Sequence, residues 1–213
     1  MGTISKGILG GFSGKVGTVI GSSWKCIEYM RSLAASVSNP NSPAQLDQRA
    51  RFNTVLQFLK PLTAFLRMGF KNKAVKMSGF NAAMSYNFSN ALKGIYPAYE
   101  MDYTLVLVSQ GSLPQALNPA AVSTTAGKIA YSWEDNSTDV DAMAYDKSVL
   151  VVYNPIKKRA ITLEGGNTRM SESQVINVPA SFSGDTVQCY LSFQTANGSV
   201  ISNSQYVNGL IVL

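Results

Sequence analysis

The sequence predicts an α+β chain: a glycine-rich N-terminal arm with a hairpin, a short helical region, then an antiparallel β-sandwich. Three observations predict it. Seven glycines crowd residues 1–24. A helix-start signal at Asn39–Gln45 opens a run of apolar residues at helical spacing. From Tyr99 onward, short segments rich in β-branched and aromatic residues are parted by Gly, Pro, Asn and Ser clusters. The expected units are residues 1–98, an arm with hairpin and helices, and residues 99–213, a sandwich.

Gly2, Gly7, Gly10, Gly11, Gly14, Gly17 and Gly21 give the arm high backbone entropy. It holds a shape only where turns or close packing demand glycine. Gly14-Lys15 has the look of a phosphate-loop end, but the spacing fails: Leu9 stands where the first glycine belongs and Val16 where the Mg²⁺-binding Ser/Thr belongs. The glycines keep no strict period of three, which excludes a collagen-like repeat. What remains is an extended segment lying against its own body or a neighbouring subunit. Val16–Ile20 and Trp24–Met30, separated by Gly21-Ser22-Ser23, are expected to form a hairpin.

The helical signal is sharper. Asn39-Pro40-Asn41 is a turn, Ser42 an N-cap, Pro43 the first helical residue and Gln45 the capping-box partner. Leu46, Ala50, Val55, Leu56, Leu59 and Leu62 follow at helical spacing. Pro61 removes a backbone donor and should break or kink this helix, with Leu62–Phe70 continuing at an angle. Asn81–Leu92 is a further, weaker helix, ended by Gly94 and Pro97. Lys71, Lys73 and Lys76, with Arg67 before them, interleave with Phe65, Phe70 and Phe80. Such a pattern suits stacking on single-stranded nucleic acid. It is more often a solvated helix end with its phenylalanines in the core, so nucleic acid is not an expected partner.

Seven strands are expected in the second half: Met101–Ser109, Lys128–Trp133, Ser148–Tyr153, Ala160–Leu163, Gln174–Val178, Thr186–Thr195 and Val200–Val207. In Thr186–Thr195, Val187, Cys189, Leu191 and Phe193 share one face, against Gln188, Ser192 and Gln194. Tyr190 interrupts the polar side, as a partly covered outer face would. The apolar end, Leu210–Leu213, reads as a paired strand.

Composition excludes several functions. The chain has no histidine, so imidazole acid–base chemistry, Ser-His-Asp triads and imidazole metal sites are absent. Cys26 and Cys189 are too few for a disulfide scaffold or a Cys-rich zinc site and read as free thiols. The acidic run Glu134, Asp135, Asp139 and Asp141 lacks the EF-hand glycine and terminal glutamate and reads as a solvated loop. No catalytic residue, cofactor or metal is expected. No stretch reaches the roughly 18 apolar residues of a membrane-spanning helix. The opening residues lack a continuous apolar signal segment, so synthesis in the cytoplasm is expected, with assembly into a virion or extracellular particle to follow. Net charge is divided: residues 1–96 carry twelve Lys/Arg and two acids, while residues 97–213 carry six and ten.

Two resemblances add to this. Ile129-Ala-Tyr-Ser-Trp133, and Val187–Gly198 with its Asn197-Gly198 turn, resemble the B-strand tryptophan and F–G corner of fibronectin type III and immunoglobulin-like domains. That resemblance implies an Ig/fibronectin-III-like sandwich. Gly14-Lys-Val-Gly17, Trp24-Lys25, Tyr29-Met-Arg31, Asn39–Gln45, Gln48-Arg49 and Phe52 resemble an uncharacterised Bacteroidota family of short proteins, a domain of unknown function whose opening is similar to phage virion components. Ser42 replaces Thr and Cys26 replaces Gly in that pattern. The second resemblance implies an assembly role and supplies no catalytic residue.

The expected function is a non-enzymatic structural subunit that self-assembles, as a virion component or filament, through its arm and complementary charged ends. Its partners would be other copies of itself or other virion or surface proteins. The expected interface is Gly7, Gly10, Gly11, Gly14, Lys15 and Gly17 in the arm, Trp24, Tyr29 and Arg31 on the hairpin, and Arg49 and Arg67 on the basic helices. The alternative is a surface-displayed binding module in which Tyr131, Tyr145, Tyr153 and Tyr206 stack on a glycan.

Overall fold

In the computed structural model, the structure describes residues 2–4, 10–24, 27–36, 39 and 41–213. The chain divides into two compact units, Met1–Gln45 and Leu46–Leu213. Helices and sandwich strands fall together in the second unit. The reason lies in the core of the second unit, described below.

The first unit is an antiparallel meander of β1 (Thr3–Ile4), β2 (Phe12–Val16), β3 (Val19–Trp24) and β4 (Ile27–Ser32), in that spatial order. The expected turn at Gly21-Ser22-Ser23 is instead the middle of β3. The β2–β3 reversal occurs at Gly17-Thr18, between the paired Val16 and Val19. Gly17 has φ +59°, the conformation a glycine-first two-residue hairpin turn needs. Gly21 serves close packing: a Cβ there would lie 2.1 Å from the Phe12 carbonyl oxygen. Cys26 lies outside the described residues.

The helical region begins with α1 (Pro43–Leu59), the start that the capping signal predicts. At Pro61 the helix tightens into a 3-10 turn, Lys60–Leu62, then resumes as α2 (Thr63–Gly69). Helix α3 (Gly79–Asn90) starts two residues earlier than expected because Ser78 is its N-cap, its hydroxyl accepting from the Asn81 amide at 3.1 Å. A hairpin of β5 (Leu92–Ile95) and β6 (Ala98–Met101) follows.

The expected strand Met101–Ser109 is absent beyond β6. Its backbone finds side-chain partners instead of a ladder: Asn87 bonds both the N–H and C=O of Leu107, and Ser204 Oγ accepts from Val108. The sandwich strands are β7 (Leu117–Thr125), β8 (Lys128–Glu134), β9 (Lys147–Asn154), β10 (Arg159–Leu163), β11 (Ser173–Asn177), β12 (Thr186–Gln194) and β13 (Gln205–Ile211). They form a three-stranded sheet, β11-β8-β7, facing a four-stranded sheet, β10-β9-β12-β13. First, second and fifth strands together, and third, fourth, sixth and seventh together, is the connectivity of a fibronectin type III sandwich. The last strand begins five residues later than the expected Val200. Beyond it the terminus stays paired, Leu213 accepting from the Gly127 amide.

Two apolar cores share the four-stranded sheet. Between the sheets lie Ile129, Tyr131, Trp133, Leu150, Val152, Val187, Cys189, Leu191 and Phe193. On the outer face, Val149, Val151, Tyr153 and Tyr190 pack against Phe58, Leu62, Phe65 and Phe70 from the helices. The helices are thus a third layer on the sandwich. Strand β9 is buried on both faces, and its centre, Val149 to Tyr153, is accordingly an unbroken apolar run.

Burial pushes the Cys189 thiol up to about 11, its hydrogen bond with Tyr131 opposing. In the unfolded chain that thiol titrates near 9. Between about pH 9 and pH 11 the native state keeps a proton that the unfolded state has lost, so stability falls as pH rises through this window, by about 2–3 kcal/mol in all. Cys189→Ala should flatten that part of a melting-temperature titration. An unchanged alkaline slope contradicts the assignment.

Candidate assembly surfaces

In the first unit, cross-strand register determines which residues meet. Lys15, Ile20 and Arg31 form one row across β2, β3 and β4. Tyr29 pairs with Ser22, and Ile27 with Trp24, on the same face by the two-residue alternation of strands. That face therefore presents Trp24, Ile27, Tyr29, Ile20 and two cations. The opposite face carries Phe12, Val16, Val19 and Met30.

Neither face is a core. Trp24 is 53% exposed and Met30 72%, and every residue of β4 is exposed. Gly21 is the only buried residue among those described in the unit. Four short strands without a buried face are unstable alone in water. β4 also lies at the sheet's edge, its outer side unpaired among the described residues.

Of the expected interface residues, the structure brings Lys15, Trp24, Tyr29 and Arg31 to one face. Gly10 and Gly11 line a recess of about 300 Å³ with Phe12, Glu28, Tyr29 and Met30. Gly14, at φ +104°, lies within β2 and faces Gly21, and Gly17 forms the turn. Gly7 lies outside the described residues. Arg49 on α1 and Arg67 in the last turn of α2 are exposed and belong to the second unit, on separate helices.

The second unit has a built polar centre that sequence reading missed. Arg169 follows β10 in a loop, yet its guanidinium is fully buried. Nη1 donates to Asn136 Oδ1 at 2.6 Å and to the Gln115 carbonyl at 3.3 Å. Nη2 donates to the Pro114 carbonyl at 3.1 Å and to Asp146 Oδ2 at 3.2 Å. Its carbon lies 3.9 Å from the centre of the Phe193 ring. Its own carbonyl accepts from the Trp133 indole N–H at 2.7 Å. Burial lowers the guanidinium pKa, the Asp146 contact opposing. Arg169 thereby pins the β8–β9 loop to the sandwich core. No sequence signal marks it, since Gly-Gly-Asn-Thr-Arg reads as an ordinary solvated loop.

That loop, residues 135–146, presents Asp135, Asp139 and Asp141 to solvent, with Glu134 at the end of β8. Beside it, Asp141, Met143, Tyr145 and Asp146 line a cleft of about 540 Å³ whose other wall is the β12–β13 turn, Thr195 to Val200. The expected exposed tyrosines largely fill the core instead: Tyr131 and Tyr153 are buried, and Tyr206 is half-buried and donates to Gln188. They point inward because β8 and β9 bury those faces. Tyr145 alone of the four is exposed, at the cleft rim. Elsewhere, Tyr99 hydroxyl bonds Asp47 and accepts from Arg51 Nε at 3.0 Å, tying β6 to α1.

Among the described residues no three Cys, Asp or Glu side chains gather as a metal site, and no helix is long and apolar enough to cross a membrane. Residues 11–208 match the model of a family of unknown function, DUF6266. No curated protein and no solved structure matches the chain.

Proposed function

We propose that this chain, which belongs to the DUF6266 family of unknown function, is a non-enzymatic structural subunit that self-assembles, of virion or filament type. The observation that carries the reading is the N-terminal sheet, whose apolar side chains stay exposed on both faces and whose edge strand β4 is open. Such a sheet is completed by another copy, through main-chain pairing at the edge and burial of Trp24, Tyr29 and Met30. Lys15 and Arg31 on that face suit an acidic counterpart, which the sandwich half supplies through its excess of carboxylates.

A full-length variant carrying Trp24→Ser, Tyr29→Ser and Met30→Ser tests this by light scattering after size exclusion. Those side chains are exposed, so the second unit should melt as before. The expected result is a fall in assembly mass to monomer or to a smaller discrete oligomer. An unchanged mass removes the arm from the assembly. A second reading rests on Tyr145 at the rim of the 540 Å³ cleft: a binding module whose loops take a saccharide. A strict monomer whose Tyr145→Ala variant loses glycan-array binding would favour it.

A further inference from the structure

A basic loop and an acidic loop flank the β12–β13 turn at one end of the second unit. Asn72, in the 3-10 turn Lys71–Lys73, donates from Nδ2 to the Ser199 carbonyl at 3.2 Å. Ser199 belongs to the β12–β13 turn, which forms one wall of the cleft; the acidic loop forms the other. The order across this end is therefore basic loop, β12–β13 turn, acidic loop. Lys71, Lys73 and Lys76 are exposed on one side, Glu134, Asp135, Asp139 and Asp141 on the other. None of these seven forms an ion pair among the described residues. Each charged loop also exposes a large aliphatic side chain, Val75 at 71% and Val140 at 86%. The cleft wall also holds Asp146, wholly buried and paired with Arg169.

From this we infer that the loop end of the sandwich is a self-complementary contact between two copies. The basic loop of one sits against the acidic loop and cleft of its mate, and reciprocally, about a two-fold axis at the β12–β13 turn. The geometry suits a two-fold contact in particular. Where positive and negative patches flank a central turn, rotation by half a circle about that turn places each patch opposite its complement. Head-to-tail stacking would instead need the signs on opposite ends. Val75 and Val140 would be covered within the contact and the charges would form its rim. The inference rests on the assembly reading above and names a second surface for it, independent of the N-terminal sheet.

The test is a charge exchange in the full-length chain. One variant is Lys71→Glu with Lys73→Glu, and the other is Glu134→Lys with Asp141→Lys; all four positions are exposed, and unchanged melting checks the fold. Sedimentation equilibrium is run at about 50 mM and about 500 mM salt, where screening weakens exposed charge contacts. Each variant alone should dimerise at least tenfold more weakly than the parent, and an equimolar mixture should recover the dimer, because each reversed loop then faces its complement. Wild-type association by either variant alone, or no recovery in the mixture, overturns the inference. The serine variant of the N-terminal sheet separates the two readings. If it alone abolishes assembly and the charge variants do not, the sheet contact stands and this one falls. If it keeps a salt-sensitive dimer, this contact stands alone. A parent that is monomeric at low salt refutes both.

Discussion

Replacing Arg169 by methionine should cost about 3–5 kcal/mol, seen as a lower denaturant midpoint at unchanged slope. Methionine keeps much of the volume and can still lie on Phe193, so the loss is chiefly electrostatic. Four acceptors lose the guanidinium at once: the Asp146 carboxylate, the Asn136 side chain and the carbonyls of Pro114 and Gln115, of which the Gln115 carbonyl keeps the Asn136 Nδ2 donor. An uncompensated buried carboxylate is the largest part of that cost, since Asp146 would keep only the Met143 amide on Oδ2. The double variant Arg169→Met, Asp146→Asn should regain part of the loss, because removing the charge removes the reason for the penalty. A single-variant loss below about 1 kcal/mol would mean that the guanidinium is replaceable by water, and that the loop is not held through it.

Several elements were legible because one local signal dominates each. The start of α1 follows from Ser42-Pro43, and its break from Pro61, since proline acts through covalent geometry that tertiary packing does not override. β9 and the alternating β12 follow from their apolar pattern. Tyr190 on the polar side of β12 pointed to a covered outer face, and it is buried there with its hydroxyl donating to the Tyr103 carbonyl. Other elements were hidden because the signal was ambiguous or non-local. β7 contains Asn118-Pro119, which reads as a turn, and its pairing with β8 is irregular there. Gly17 and Gly21 look alike in sequence, though one makes the turn and the other lets Phe12 approach. The charge step near residue 96 reports the surface, whereas the division of the chain follows the core. Of the candidate surface, Trp24, Tyr29 and Arg31 were readable as strand residues of an arm. The burial of Arg169 and the meeting of Asn72 with Ser199 depend on contacts far apart in the chain, which no local pattern records.

Phe58→Ala should likewise remove about 3–5 kcal/mol, and the shape of the transition matters as much as its size. Phe58 lies on α1, edge-on to Tyr153 of β9 with ring centres 4.8 Å apart, and 6.1 Å from Tyr103. It joins helix to sheet within one core. If helices and sandwich fold as one body, the whole second unit melts at a lower temperature in one calorimetric step, and near-ultraviolet and far-ultraviolet signals coincide. A sandwich that folded independently of the helices would behave otherwise: the helical signal would be lost first, and the strands would keep the parent's melting point. Tyr153 adds a reason to expect the single step. Burial already pushes its hydroxyl up to about 12, and shortening Phe58 admits water beside it. The tyrosine absorbance titration of the variant should therefore move down toward the ordinary phenol value. A parent-like titration together with a split transition would place the boundary back between helices and strands.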